Sequence, residues 1–146
     1  TASGSVLIPA DIERRGERAL LASVPEVLRS DVLIARQDFA RDCAAADIVV
    51  APLRIARGIQ NKVLEAMAMA QPVVASPAAA EGIDAQAGVH FYVENSARAE
   101  AERVCALFAD ANEMQRVGRA ARAHVIAHYG WNQQLAPLQR MISEVQ

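Results

Sequence analysis

The 146-residue chain is 53% hydrophobic, with 31 alanines but only 4% aromatic residues. That is enough apolar chain for one domain with a core, and too few aromatics for a base-stacking platform on single-stranded nucleic acid. A formal net charge of −2 excludes a polyanion binder that works through bulk charge.

In chain order, short β-branched runs alternate with helical patterns. Thr1 to Ser5 reads as a loose, disordered end. Val6-Leu7-Ile8 is the first apolar run, Asp11 to Leu28 a helix with a break before Pro25, and Val32-Leu33-Ile34 the second run. Asp38 caps a short helix through Ala46, and Ile48-Val49-Val50 follows with almost no loop. Gln60 to Ala70 is the central helix, ended by Gln71-Pro72. Val73-Val74-Ala75 and Val89 to Val93 complete the strands. Ser96 to Ala109 is helical. Asp110 and Glu113 then have capping-box spacing for a helix that runs to Tyr129 and stops at Gly130. Trp131, Leu135, Leu138 and Ile142 share one stripe of a final amphipathic helix over 131–145. Continuous apolar strands separated by helices imply a parallel sheet buried on both faces. The expected fold is a doubly wound, Rossmann-like α/β domain with flanking helices and a helical C-terminus.

Two cysteines, Cys43 and Cys105, form no pairing or metal motif and read as small buried hydrophobes in a reducing, cytoplasmic setting. No apolar run is long enough to cross a bilayer, and no signal-peptide pattern opens the sequence. His124 and His128 are four apart but lack a third metal ligand in sequence, and His90 has no ligand spacing with a carboxylate. Arg116, Arg119 and Arg122 share a helix face that is either solvated or meets an acidic membrane surface.

Ligands of open parallel sheets bind outside the carboxyl ends of the strands, which directs attention to residues 52–60 and 76–88. Gly58 allows positive φ or close backbone approach. Arg57 and Lys62 flank a helix start, where the dipole disfavours a cation unless an anion such as phosphate shares the site. Asn61 and Glu65 are four apart and share a face. Glu65 is embedded in sequence among Val63, Leu64, Ala66 and Met67, a setting that asks for good donors such as a pair of ribose hydroxyls. The same residues also fit a solvated helix face with Glu65 paired to Lys62, so spacing alone leaves both readings open.

Residues 47–76 resemble the donor-binding signature of retaining glycosyltransferases of family 4, which have the GT-B architecture. The match lies in Ala46-Asp47-Ile-Val-Val-Ala-Pro52-Leu, Gly58, Lys62-Val-Leu-Glu65-Ala-Met-Ala and Pro72-Val-Val-Ala-Ser76. Arg57-Gly-Ile-Gln-Asn-Lys-Val-Leu-Glu65 is similar to sugar transferases of exosortase-linked exopolysaccharide systems, and His128-Tyr-Gly-Trp131-Asn resembles the way the family's C-terminal domain ends. The resemblance implies that Glu65 binds the ribose of a nucleotide-sugar. It also implies that the amides of Gly58, Ile59 and Gln60 face its diphosphate, and that Asn61 and Lys62 lie beside the pocket. Glu81-Gly82 resembles a pair often found in the second loop. One departure stands out. The family's first glutamate is replaced by Arg57, which cannot accept hydrogen bonds from sugar hydroxyls.

The resemblance further implies no cofactor, no metal, no nucleic acid, and an acceptor (a glycan or a lipid-linked sugar) bound through a separate N-terminal domain. Residues 1–146 have room for the donor-binding domain alone, without the family's first strand and helix, and such a fragment is expected to be inactive by itself. It would work in the cytoplasm, with peripheral contact at the inner membrane face, and its exposed sheet edges would favour self-association. Two alternatives remain at this level: a non-catalytic nucleotide-sugar-binding module, suggested by Arg57, and half of a sugar-nucleotide 2-epimerase. The second needs paired carboxylates where only Glu65 and Glu81 are on offer.

Overall fold

A computed structural model of the protein describes residues 5–9, 22–23, 32–35 and 39–130. The helices expected over most of 11–28 and over 131–145 lie outside the described residues, as do Thr1 to Gly4, and Asp38 with its cap. The elements are β1 (Val6–Pro9), β2 (Val32–Ala35), α1 (Phe39–Ala45), β3 (Ile48–Ala51), α2 (Asn61–Ala68), β4 (Val73–Ala75), α3 (Pro77–Ala80), β5 (Tyr92–Val93), α4 (Ala97–Ala109) and α5 (Ala111–Tyr129).

The β-branched runs form one five-stranded sheet in the order β2-β1-β3-β4-β5, and every pairing is parallel. Alternate side chains point to opposite faces, and both faces are covered. Leu7, Val49, Ala51, Val73 and Ala75 join Cys43 of α1, Val63, Ala66 and Met67 of α2, and Ala121 and Val125 of α5 in one core cluster. Val6, Ile8, Ile48, Val50 and Val74 pack on Ala101, Val104 and Leu107 of α4 in the other. Double burial is the reason β3 and β4 carry no polar residue. Asp47 ties the entry of β3 to that of β1, its Oδ2 accepting from the Ser5 amide at 2.9 Å.

Several boundaries differ from the sequence-based expectation. The central helix stops at Ala68, because Ala70 takes the left-handed conformation (φ 61°) ahead of Pro72. A short helix, α3, lies where only loop was expected; Ser76 caps it, its Oγ accepting from the Ala79 amide at 3.2 Å. The last strand is cut to two residues because Gly88, at φ 77°, turns the chain and its amide closes on the Phe91 carbonyl at 2.7 Å. The capping box at α5 is half realised. Asp110 accepts from the Asn112 and Glu113 amides, while the Glu113 carboxylate turns away to Arg116 and to the Tyr92 hydroxyl. Gly130 ends α5 at φ −66°, without the left-handed turn a terminal glycine suggests.

The three arginines of α5 do not form a free face. Arg116 donates to the Gly88 and Val89 carbonyls as well as to Glu113, Arg122 donates to the Ala68 carbonyl, and Arg119 donates to Gln115. Gly118 lets α5 cross the end of α2, since a Cβ there would run into the Ala70 carbonyl oxygen.

Candidate functional site

Strand order reverses direction at β1, whose neighbours are β2 and β3. In a doubly wound sheet, the crevice at such a switch point, outside the carboxyl ends of the strands, is where ligands bind. The loop leaving β3, residues 52–60, lies at this rim and leads directly into α2.

Gly58 sits at φ 73° with nothing within 4 Å of a built Cβ, so the glycine serves backbone conformation and not close packing. Gln60 is the extended N-cap residue of α2 but its side chain does not cap the helix; its Nε2 donates back to the Gly58 carbonyl at 3.1 Å. The Val63 and Leu64 amides turn to the Gln60 carbonyl at 3.0 and 3.3 Å. An uncapped helix start, with the positive end of its dipole facing solvent, is suited to an anion.

On α2, Val63, Ala66 and Met67 point into the core, which turns Asn61 and Glu65 outward. Glu65 is exposed and makes no side-chain hydrogen bond or ion pair among the described residues. The expectation of a carboxylate embedded among apolar neighbours is corrected here, because those neighbours lie on the other side of the helix. Glu65 does act on the thiol beneath it: burial first, and then its charge, push Cys43 up to about 11.

Arg57, Gly58 and Ile59 are exposed, and Gln60 and Lys62 half-buried. The second loop meets the first. Gly82, at φ 81°, lies against Ile59, whose Cγ1 is 3.5 Å from a built Cβ. Glu81 is exposed and forms no ion pair with Arg57. The structure therefore brings residues 57–65 and Gly82 to one rim.

The three histidines come together in a way the sequence did not reveal. His90 stacks on His124 at 4.2 Å and His124 on His128 at 4.1 Å. The column holds the second loop: the Gln86 amide donates to His90 Nδ1 at 3.0 Å, and His124 Nε2 bonds the Asp84 carbonyl. Burial, and then the neighbouring imidazoles, push His90 below its ordinary pKa of 6.5. Among the described residues no group of three His, Cys, Asp or Glu side chains is placed to hold a metal.

Sequence reasoning missed a second feature of this rim. A cleft of 280 Å³ opens on the α4 side, between the start of the β3–α2 loop, α3 and the first turn of α4, and Glu100 lies in its wall. The available signal was its place on the apolar stripe of α4, four before Val104 and seven before Leu107.

Fold and rim together define a doubly wound α/β domain with a candidate ligand site at its switch point. A family model described as "Glycosyl transferases group 1" matches residues 12–110, and the chain belongs to that family. A search of curated proteins finds no match. Among solved structures, HepE from Anabaena in complex with UDP and glucose superposes with a TM-score of 0.76 at 16% identity, over 96% of this chain and 49% of that one. Sucrose-phosphate synthase from Thermosynechococcus elongatus gives 0.74 at 18%, over 100% and 47%. The C-terminal domain of the group 1 glycosyl transferase LpcC from Francisella tularensis gives 0.67 at 16%, over 88% and 87%. The fold is thus the GT-B Rossmann-like one, and this chain spans about half the length of the first two structures. No helix among the described residues is long and apolar enough to cross a membrane.

Proposed function

We propose that the chain is the donor-binding domain of a retaining, family 4 glycosyltransferase that moves a sugar from a nucleotide diphosphate-sugar to a glycan or lipid-linked acceptor. Glu65 accepts hydrogen bonds from the ribose hydroxyls, and the amides of Gly58, Ile59 and Gln60 receive the diphosphate at the uncapped start of α2. Asn61 and Lys62 border the pocket, Gly82 with Glu81 closes it from the second loop, and Arg57 contacts the diphosphate or an acidic sugar. The observation that carries this reading is the exposed Glu65, unengaged by any described side chain, one turn into an uncapped helix at the switch crevice.

Catalysis is then positioning and electrostatic stabilisation of the departing diphosphate, which helps deprotonate the acceptor; no side-chain nucleophile and no metal take part. The acceptor domain lies elsewhere in a longer protein, and this domain alone does not turn over. Exopolysaccharide synthesis at the cytoplasmic membrane face, with peripheral membrane contact, fits the resemblance of residues 57–65.

Calorimetric titration with UDP-, GDP- and CMP-sugars tests the reading. One nucleotide is expected to bind, and Glu65→Ala to weaken it about 10- to 100-fold through loss of charge-assisted hydrogen bonds. A folded protein that binds none of them would overturn the assignment. Binding with no turnover in the intact protein would favour the non-catalytic module that Arg57 suggests.

A further inference from the structure

We propose that the cleft between the β3–α2 loop, α3 and the first turn of α4 is a second binding site, which takes a single sugar-sized polyhydroxyl ring through the buried carboxyl of Glu100. The inference goes beyond the donor reading, since neither Glu65, Lys62 nor residues 57–60 line this cleft.

Glu100 stands where α4 should present an apolar side chain to the sheet. The residue is only 2% exposed, yet no described side chain or backbone group hydrogen-bonds or ion-pairs with its carboxyl. No described side-chain polar atom is both sealed from the surface and without a partner. The carboxyl oxygens therefore open into the cleft that Glu100 lines. A buried carboxyl costs free energy unless donors reach it, and the described neighbours do not supply them. The Ser76 hydroxyl is committed, donating to the Leu53 carbonyl at 2.5 Å. α3 brings only proline and alanine. Glu94, beyond β5, is held by Arg103 at 2.8 Å.

The surroundings select the ligand. Arg54 across the cleft opposes an ammonium group, and the Glu100 carboxylate opposes a phosphate. Among the described residues no group of three His, Cys, Asp or Glu side chains is placed here to hold a metal. Neutral hydroxyls satisfy the carboxyl in either protonation state. Pro52, Leu53 and Pro77 offer the apolar wall on which the C–H face of a ring packs, and Asn95 and Ser96 offer further polar contacts. At 280 Å³ the cleft lies just below the range of about 300–1,000 Å³ for drug-sized ligands, which fits one ring and excludes a whole nucleotide-sugar. Burial pushes the Glu100 carboxyl up to about 7, with Arg54 pulling down and Glu94 pushing up. Hydroxyl donors favour the carboxylate, so binding should tighten as pH rises through that value.

The test is an NMR titration of the full chain with glucose, mannose and galactose, following the amides of residues 95–98. At least one sugar is expected to shift these amides, more tightly at pH 8 than at pH 6. Glu100→Leu should weaken the effect by about tenfold or more, with nucleotide-sugar binding at Glu65 unchanged. Glu100→Gln should keep the binding and flatten its pH profile. That variant decides the matter if Glu100→Leu does not fold. No shift with any of the three sugars, an undiminished shift in Glu100→Leu, or an unaltered pH profile in Glu100→Gln would each overturn the proposal. Absence of binding by UDP-, GDP- and CMP-sugars alike, with sugar binding at the cleft intact, would instead count against the donor reading alone.

Discussion

Two glutamates on different helices illustrate how burial decides what a carboxyl does. Glu65 is exposed and bears no core packing, so Glu65→Ala should leave the melting temperature within experimental error while it removes nucleotide affinity; differential scanning fluorimetry beside calorimetry checks both halves. Glu100 is the reverse case. Its pKa is raised in the folded state from 4.5 to about 7, so the folded protein holds the proton more firmly than the unfolded chain. Stability from this group is complete below pH 4.5 and declines as pH climbs toward 7. Glu100→Leu is expected to abolish that decline and to gain at most about 3 kcal/mol at pH 8, read from urea midpoints at several pH values. The sequence made Glu65 conspicuous through its motif but misjudged its surroundings, because four apolar neighbours in sequence say nothing about which side of a helix faces out. Glu100 was passed over because a lone charge on an apolar stripe carries no motif.

At the scale of elements, the crossing of α5 over the end of α2 is the tightest constraint. Gly118→Ala would drive a Cβ into the Ala70 carbonyl oxygen, and the backbone cannot yield as a flexible side chain would. A loss of about 1–3 kcal/mol or more is expected, measured by chemical denaturation. Ala70→Gly, by contrast, relieves a left-handed alanine and should be neutral or stabilise by up to about 1 kcal/mol. The strands and most of the helices were legible because burial on both faces forces continuous β-branched runs, and because Ser96 and Asp110 announce their helices as caps. What stayed hidden depended on tertiary partners. Glu113 was expected to cap α5, but Arg116 and the Tyr92 hydroxyl outbid the helix amide and hold its carboxyl down at about 2. The column of His90, His124 and His128 adds to a pair four apart a histidine more than thirty positions away, beyond the reach of any local spacing rule.

For the molecule as a whole, the order β2-β1-β3-β4-β5 places the two candidate loops and the second cleft on one rim, with α2 on one face of the sheet and α4 on the other. A ligand bound only by the folded domain stabilises it by mass action. The nucleotide that calorimetry finds to bind, at a hundred times its dissociation constant, should therefore add about 2.7 kcal/mol and raise the melting temperature by several degrees. Glu65→Ala at the same nucleotide concentration should lose about half of that shift or more.

Gly82 and Ile59 are neighbours across the two loops, a Cβ placed on Gly82 lying 3.5 Å from Ile59 Cγ1, so a displacement of either loop changes the surroundings of the other. Occupancy of one should therefore register in the other. A fluorophore attached near Asp84 would act as a remote gauge of whatever settles beside Gly58.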